Sequence, residues 1–390
     1  MQRFYYDLSE LYLLTRGRLK FYGIARVVAE IAFEIHRIRP DVIFVVYDES
    51  RRGFFRVHPR FGKSSYNGVV DLELPKSIIP FRVRGPKPGR SLQGRVVASC
   101  AGFCVRILNR LKSSAFDRYL KPIDLNDGHL FSAGRPKLLT DFIDHLERTG
   151  SATRLHVLLH DCIPLHDFDP RPDTFQLNFR ADNIRIIGNA SLVIANSSFT
   201  QRELVAMAGR GLLPPLPAHS VVPLAHECRD DGEMPTIGVP GREYVIGVGI
   251  TLGRKNLEVV LEALEHLIAQ GRTPPLMVIA GANRRRTKAS LRKGRYAALA
   301  PHVLMVDNPS QANLIRLYQN ALATVMPSRL EGWGLPLGES LWLGTPALAA
   351  PLSSLPEVGG DLAVYFDPDS PAELAALLHR LSTDHPYRYA

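Results

Sequence analysis

Short aliphatic and β-branched runs, each closed by a turn residue, alternate along the chain with longer stretches of helical period. In the first half these runs are "FYYDLS" (from Phe4), "VIFVVYD" (Val42 to Asp48), "LHVLLHD" (Leu155 to Asp161), "SLVIANS" (Ser191 to Ser197) and "SVVPLA" (Ser220 to Ala225). A strand covered on both faces is apolar throughout rather than alternating, so these runs read as buried parallel strands. Helical spacing covers roughly Ile24 to Ile38 and "SFTQRELVAMAG". The aperiodic, Gly- and Pro-bearing "RDDGEMPTIGVPG" (Arg229 to Gly241) reads as a linker, and beyond it the alternation restarts. The restart runs through "EYVIGVG", a helix from Asn256, "LMVIAG", a helix in the 285–300 region, "VLMVDN", a helix from Gln311 and "ATVMPS". The pattern predicts an α/β fold of two doubly wound, Rossmann-like domains facing across a cleft. Their expected bounds are 1–230 and 242–390, joined by a linker at 231–241.

Composition narrows the class. A chain of 390 residues, 45% hydrophobic and 22% charged, exceeds one ordinary core and is neither disordered nor fibrous. "VVASCAGFCV" (Val96 to Val105) falls far short of a membrane span, and "MQRFYYDLSE" lacks the apolar core of a signal peptide. A cytoplasmic place is therefore expected. Cys100, Cys104, Cys162 and Cys228 form no metal-ligand spacing and read as scattered reduced thiols.

Charge adds one feature. Of the formal +10, nearly all lies between Arg82 and Lys121, where ten basic residues face Asp117 alone. Such a block suits an anionic partner, and its bland counterpart is a solvated basic loop. No aromatic-interleaved stripe accompanies it, so nucleic acid is not expected as a partner. A basic amphipathic helix over Gly94 to Lys112, lying on the inner leaflet of a membrane, is the reading carried forward.

The candidate chemistry sits in the second half. Arg254 and Lys255 follow the strand "VIGVG" and precede Asn256, a plausible N-cap. Two cations at a strand end beside a helix start suit a diphosphate, though solvated loop cations account for them equally well. In "PSRLEGWGLPLGESLWLGTP" (Pro327 to Pro346), Glu331 lies in a glycine-punctuated loop and Glu339 in the helix that follows. Carboxylates accept hydrogen bonds from paired hydroxyls, so two at this spacing can hold two polyols, such as the sugar and ribose of a nucleotide sugar. A capping glutamate plus a surface glutamate is the competing account. Gly247, Gly249 and Gly253 do not fit G-x-G-x-x-G, which removes a dinucleotide reading. The two D-x-D triplets, Asp167 to Asp169 and Asp367 to Asp369, read as turn chemistry rather than metal ligands. His160 ends a strand and is open to a structural or a functional role. His36, His145 and His379 read as surface-helix residues, and His156, His166 and His226 are undecided.

Residues 327–367, with E-x7-E, "GTPALAAPLSSLPEVGGD" and "VYFDP", resemble retaining glycosyltransferases of family 4, whose fold is GT-B. The likeness continues through "VGITLGRKNLEVVLEAL", "ANSSFTQREL", "VVPLAHE" and "LLHDCIPL", is weak between about Glu49 and Arg154, and has the look of bacterial polysaccharide-building members. It implies an amino-terminal acceptor domain, a carboxy-terminal nucleotide-sugar domain, and transfer without a metal or other cofactor. Arg254 and Lys255 would bind the diphosphate, Glu331 the donor sugar, and Glu339 the ribose. Trp333, Gly334 and Leu335 would offer backbone amides, with Gly249 near the donor and Asn308 near the base. Gly23 and His160 would serve from the amino domain. Trp333 stands where phenylalanine is usual, and the family's long final crossover helix is not evident before "HPYRYA". The implied donor is GDP-mannose, ahead of dTDP-rhamnose or a UDP-sugar, and the acceptor a lipid-linked or growing polysaccharide of the lipopolysaccharide or capsule type. A degenerate member that only binds nucleotide sugars is the rival reading.

Overall fold

The computed structural model describes residues 3–14, 23–62, 65, 69–75, 78, 96, 100–105, 107–108, 116, 118–166, 173–229, 234–281 and 285–384. Most of the basic segment, Asp167 to Asp169, the first linker residues and "HPYRYA" lie outside them. Two compact units emerge. Unit 1 comprises 1–160, 170–195 and 201–222, and unit 2 comprises 161–169, 196–200 and 223–390.

Unit 1 carries β1 (Arg3–Asp7), β2 (Ile43–Asp48), β3 (Gly53–Arg56), β4 (Arg60–Phe61), β5 (Val70–Asp71), β6 (Lys121–Pro122), β7 (Gly128–Ser132), β8 (Arg154–Leu159), β9 (Ala190–Ala195) and β10 (Ala218–Val221). Eight of these form one sheet in the order β10-β9-β8-β7-β1-β2-β3-β6. From β10 to β2 every pairing is parallel, whereas β2–β3 and β3–β6 are antiparallel. The apolar runs read from sequence supply the parallel part except β7, whose short Gly-His start offers no continuous apolar run. The antiparallel edge comes from four- and two-residue strands, too short to show a period. The helix Ile24–Ile38 has the bounds that its spacing predicts and buries Ala25, Val28 and Ala32. A second helix, Pro136–Thr149, starts on a proline and closes on Gly150 in the left-handed region, burying Leu139, Phe142 and Ile143.

Unit 2 carries β11 (Tyr244–Val248), β12 (Leu276–Gly281), β13 (Val303–Asp307), β14 (Ala323–Met326), β15 (Ala347–Ala349) and β16 (Ala363–Tyr365). Their order, β13-β12-β11-β14-β15-β16, is wholly parallel, the arrangement of a doubly wound sheet. Side chains alternate between two cores. Val245, Met277 and Ile279 meet Leu261, Leu264 and Leu378 on one face. Tyr244, Ile246, Val278 and Ala280 meet Leu314, Leu317 and Tyr318 on the other. The pattern of the 285–300 region resolves into the helix Arg285–Lys293 and a 3-10 turn, Ala297–His302. From Met234 onward the linker is pinned to this unit, where Thr236 and Ile237 donate their N–H groups to Asn313 Oδ1 (2.7 and 3.2 Å). No helix among the described residues is long and apolar enough to cross a membrane.

Candidate functional site

In unit 2 the winding reverses between β11 and β14, which pair side by side while their successors run to opposite edges. The loops leaving those two strands diverge, and ligands of such sheets bind in that crevice. Residues 249–256 leave β11 and residues 327–334 leave β14, so the topology brings Arg254, Lys255 and Glu331 to one place.

Arg254 and Lys255 are not loose loop cations. Lys255 Nζ donates to Glu331 Oε1, and Arg254 Nη1 donates to the Leu330 carbonyl while lying 3.6 Å from Glu331 Oε2. The Arg329 N–H donates to the Arg254 carbonyl at 3.0 Å, closing the two loops together. The sequence reading gives the cations and Glu331 separate partners, whereas here they satisfy one another. Glu331 is only 7% exposed. Burial pushes its carboxyl up, but Lys255, Arg254 and the hydrogen bonds from Lys255 and Ser328 outweigh that and hold it below its ordinary value.

Asn256 departs from expectation. It occupies the N-cap position of Leu257–Ala269 in the left-handed region (φ 52°), and its side chain makes no cap hydrogen bond. Its Nδ2 donates instead to the Pro368 carbonyl at 2.8 Å, tying the loop to the chain after β16. Asp367 and Asp369 are turn residues in fact: Asp367 Oδ1 accepts from the Asp369 N–H, and Asp369 pairs with Arg329.

The loop that carries Glu331 is held at every step. Its N–H donates to Ser353 Oγ at 3.0 Å, and Ser354 Oγ donates to the carbonyls of Glu331 (3.1 Å) and Trp333 (2.7 Å). The Gly332 carbonyl accepts from Ser197 Oγ (2.7 Å) and Thr200 Oγ1 (3.1 Å). Gly334 then turns the chain at φ 111°, where an added Cβ would sit 2.7 Å from Leu355 Cδ2, so glycine is required twice over. The helix Leu335–Trp342 starts there; Pro336 offers no N–H, and Leu337 gives its own to the Gly334 carbonyl at 3.0 Å, which leaves the Leu335 amide at the start of the helix. Glu339, 3% exposed, lies one turn on, and Tyr318 donates its hydroxyl to Oε2 at 3.0 Å.

The remaining predicted residues fall elsewhere. Gly249 (φ 66°) ends β11 with open space where a Cβ would be, and Asn308 (φ 47°) follows β13 at the same edge of the sheet. Gly23 and His160 belong to unit 1. Gly23 precedes the helix Ile24–Ile38 with φ 56°. His160 follows β8, and its Nε2 meets the Ala133 carbonyl at 2.7 Å. A carbonyl only accepts, so Nε2 carries the hydrogen. Sequence reasoning missed Ser353, Ser354, Tyr318 and the firm seat of His226. Each is a lone polar residue without local period, and "VVPLAHE" alone pointed toward the last.

Residues 236–389 match the family model described as glycosyl transferases group 1. A serotype-specific mannosyltransferase, WbdA of Escherichia coli, is 23% identical over 382 residues, 90% of this chain and 44% of that protein. The O-antigen chain mannosyltransferase B of E. coli is 26% identical over 218 residues, 51% of this chain and 53% of that protein. The chain thus spans about half the length of these curated relatives. Among solved structures, Anabaena Alr3699/HepE in complex with UDP and glucose is 15% identical with a TM-score of 0.57, covering 100% of this chain and 92% of that one. The fold is GT-B, and within its carboxy-terminal unit residues 236–389 are similar to the group 1 glycosyl transferases.

Proposed function

We propose that the chain is a retaining glycosyltransferase that moves a sugar from a nucleotide diphosphate to a hydroxyl of a lipid-linked or growing polysaccharide. The observation that carries this reading is the buried Lys255–Glu331–Arg254 cluster at the β11/β14 switch point, with Glu339 on the adjoining helix. The mannosyltransferase relatives favour mannose from GDP-mannose, with dTDP-rhamnose or a UDP-sugar next.

In the reaction, the bond between the sugar's C1 and the diphosphate oxygen breaks, and a bond from C1 to the acceptor oxygen forms on the same face. The acceptor's proton passes to the leaving diphosphate. Negative charge grows on that group, where Lys255, Arg254 and the backbone amides of Trp333, Gly334 and Leu335 stabilise it from fixed positions. These cations stand in for a metal, so a chelator is expected to leave the rate unchanged. Glu331 and Glu339 accept from hydroxyls of the sugar and the ribose. Glu331 must loosen its pairing with Lys255 as the diphosphate arrives, which exchanges one charge-assisted contact for another rather than creating a bare cation. We assign His160 a part in the reaction from unit 1, and docking on an anionic membrane to the 82–121 segment.

A thermal-shift screen over nucleotide sugars, followed by turnover with each stabilising donor, tests the reading. Glu339→Ala is expected to raise the donor KM about tenfold to a hundredfold, the worth of a hydrogen bond to a charged group. His160→Ala is expected to lower kcat and leave donor Kd unchanged. Binding with no transfer to any acceptor or water would make the chain a nucleotide-sugar-binding protein instead.

A further inference from the structure

His226 has been given no role so far, yet it is seated between two elements of the donor site. Its ring stacks on Trp333 with centroids 5.5 Å apart and planes 24° from parallel. Trp333 Nε1–H donates to His226 Nε2 at 3.1 Å, which fixes the ring's hydrogen on Nδ1. On its other side the ring lies against Gly338, where an added Cβ would sit 2.2 Å from His226 Cδ2. Gly338 precedes Glu339, and Trp333 lies two residues beyond Glu331, so one imidazole braces both halves of E-x7-E.

Two anchors hold Trp333. Ser354 takes its carbonyl and His226 takes its indole. Without the second, the ring can turn about its side-chain bonds, and the strained turn at Gly334 loses its packed neighbour. We propose that His226 is a positioning residue of the donor site, holding Trp333 so that the 331–335 segment keeps the shape that meets a nucleotide sugar. This rests on the donor-site reading above. The ring is suited to the role in its neutral form: burial pulls its pKa down from the ordinary value, against the opposing charge of Glu339.

The chain contains two tryptophans, and Trp342 is 58% exposed whereas Trp333 is buried, so their indole N–H resonances are separable reporters. The experiment measures donor Kd, KM and kcat on the full chain, using the nucleotide sugar that the screen selects, together with those two resonances. His226→Phe keeps a ring but cannot accept, and His226→Gln restores an acceptor. Trp333→Phe removes the donor from the other side. His226→Phe and Trp333→Phe are each expected to raise Kd and KM about fivefold, the factor of one net hydrogen bond, with kcat within about twofold. The pair combined is expected to add nothing further, and His226→Gln to return Kd to within about twofold of wild type.

Equal effects of His226→Phe and His226→Gln would overturn the proposal. So would an unchanged Kd in His226→Phe while the Trp333 resonance moves. If His226→Phe does not fold, Trp333→Phe and His226→Gln carry the same comparison. Should Glu331→Gln weaken binding while His226→Phe does not, the proposal alone falls. Should no nucleotide sugar bind the wild type, the donor-site reading falls and takes the proposal with it.

Discussion

Lys255→Met is expected to lower kcat at saturating donor by about 10²–10³, the usual loss when one preorganised donor to a developing anion is removed. Methionine keeps the length and most of the volume of lysine and deletes the ammonium alone. The ammonium matters because it is partly buried against Glu331, where little water competes, in the loop that leaves β11 at the switch point. Lys255→Arg is not a silent control. A planar guanidinium in place of a compact ammonium beside Arg254 changes the hydrogen-bond geometry, and partial activity is expected.

The same substitution has a structural consequence that must be separated from the catalytic one. Glu331 would be left with Arg254 3.6 Å away and the burial that pushes its carboxyl up. Breaking a buried pair from one side costs about 3–5 kcal/mol, and the partial exposure of Lys255 places this case at the low end or below. The pH dependence follows from the sign of the shift. A carboxyl held below its ordinary 4.5 contributes stability that is present above 4.5 and disappears as pH falls through the lower folded value. Lys255→Met shrinks that contribution, so its acid limb of unfolding moves to higher pH. Melting curves at pH 7.5 and 4 alongside kcat make the distinction. A folded Lys255→Met protein that retains more than a tenth of wild-type kcat would remove Lys255 from the reaction.

Much of this was legible in the sequence, and the limits have physical causes. The helix Ile24–Ile38 was read with its observed bounds because its buried positions recur at helical spacing after a glycine that stops the chain. The buried parallel strands, β7 apart, were read as continuous apolar runs, since covering both faces leaves no polar register to misjudge. The antiparallel edge β3–β6 was not read, because a two-residue strand takes its identity from its partner and not from its own residues. The helix Pro136–Thr149 was not read, although Leu138, Leu139, Phe142, Ile143 and Leu146 recur at helical spacing.

For the site, Arg254, Lys255, Glu331 and Glu339 were legible because local spacing and a motif carry them. Their mutual pairing was not, since 76 residues separate Lys255 from Glu331 and only the β11–β14 pairing joins them. Asn256 shows the converse error. Its residue type favours an N-cap, but a tertiary acceptor, the Pro368 carbonyl, took its side chain. Gly338 carried no signal of its own; its physical reason is the ring of His226, which lies 112 residues upstream.

Asp7→Asn is expected to stabilise unit 1 by about 2 kcal/mol at pH 7.5 and to destabilise it slightly, by about 0.5 kcal/mol, at pH 4. Asp7 ends β1 at 1% exposure, and burial lifts its carboxyl to about 6 from 3.8, with Glu10 adding to the rise. Hydrogen bonds from Ser132 (2.6 Å) and from the Ser9 N–H (2.8 Å) oppose that rise without cancelling it. A carboxyl whose folded value is raised binds its proton more tightly in the folded chain. Its contribution therefore falls as pH rises from 3.8 through about 6, by about 3 kcal/mol in all. The amide escapes that penalty. It keeps an oxygen for Ser9 but must turn its NH₂ to Ser132, whose hydroxyl already accepts from the Gly134 N–H, at a cost of about 1 kcal/mol. Urea midpoints for both proteins at the two pH values check the result: an equal shift at pH 4 and pH 7.5, or a loss at pH 7.5, would mean that Asp7 is not the group that titrates. Asp7 belongs to unit 1 and the proposed donor site to unit 2, so nucleotide-sugar affinity is expected to stay unchanged while the stability of unit 1 moves.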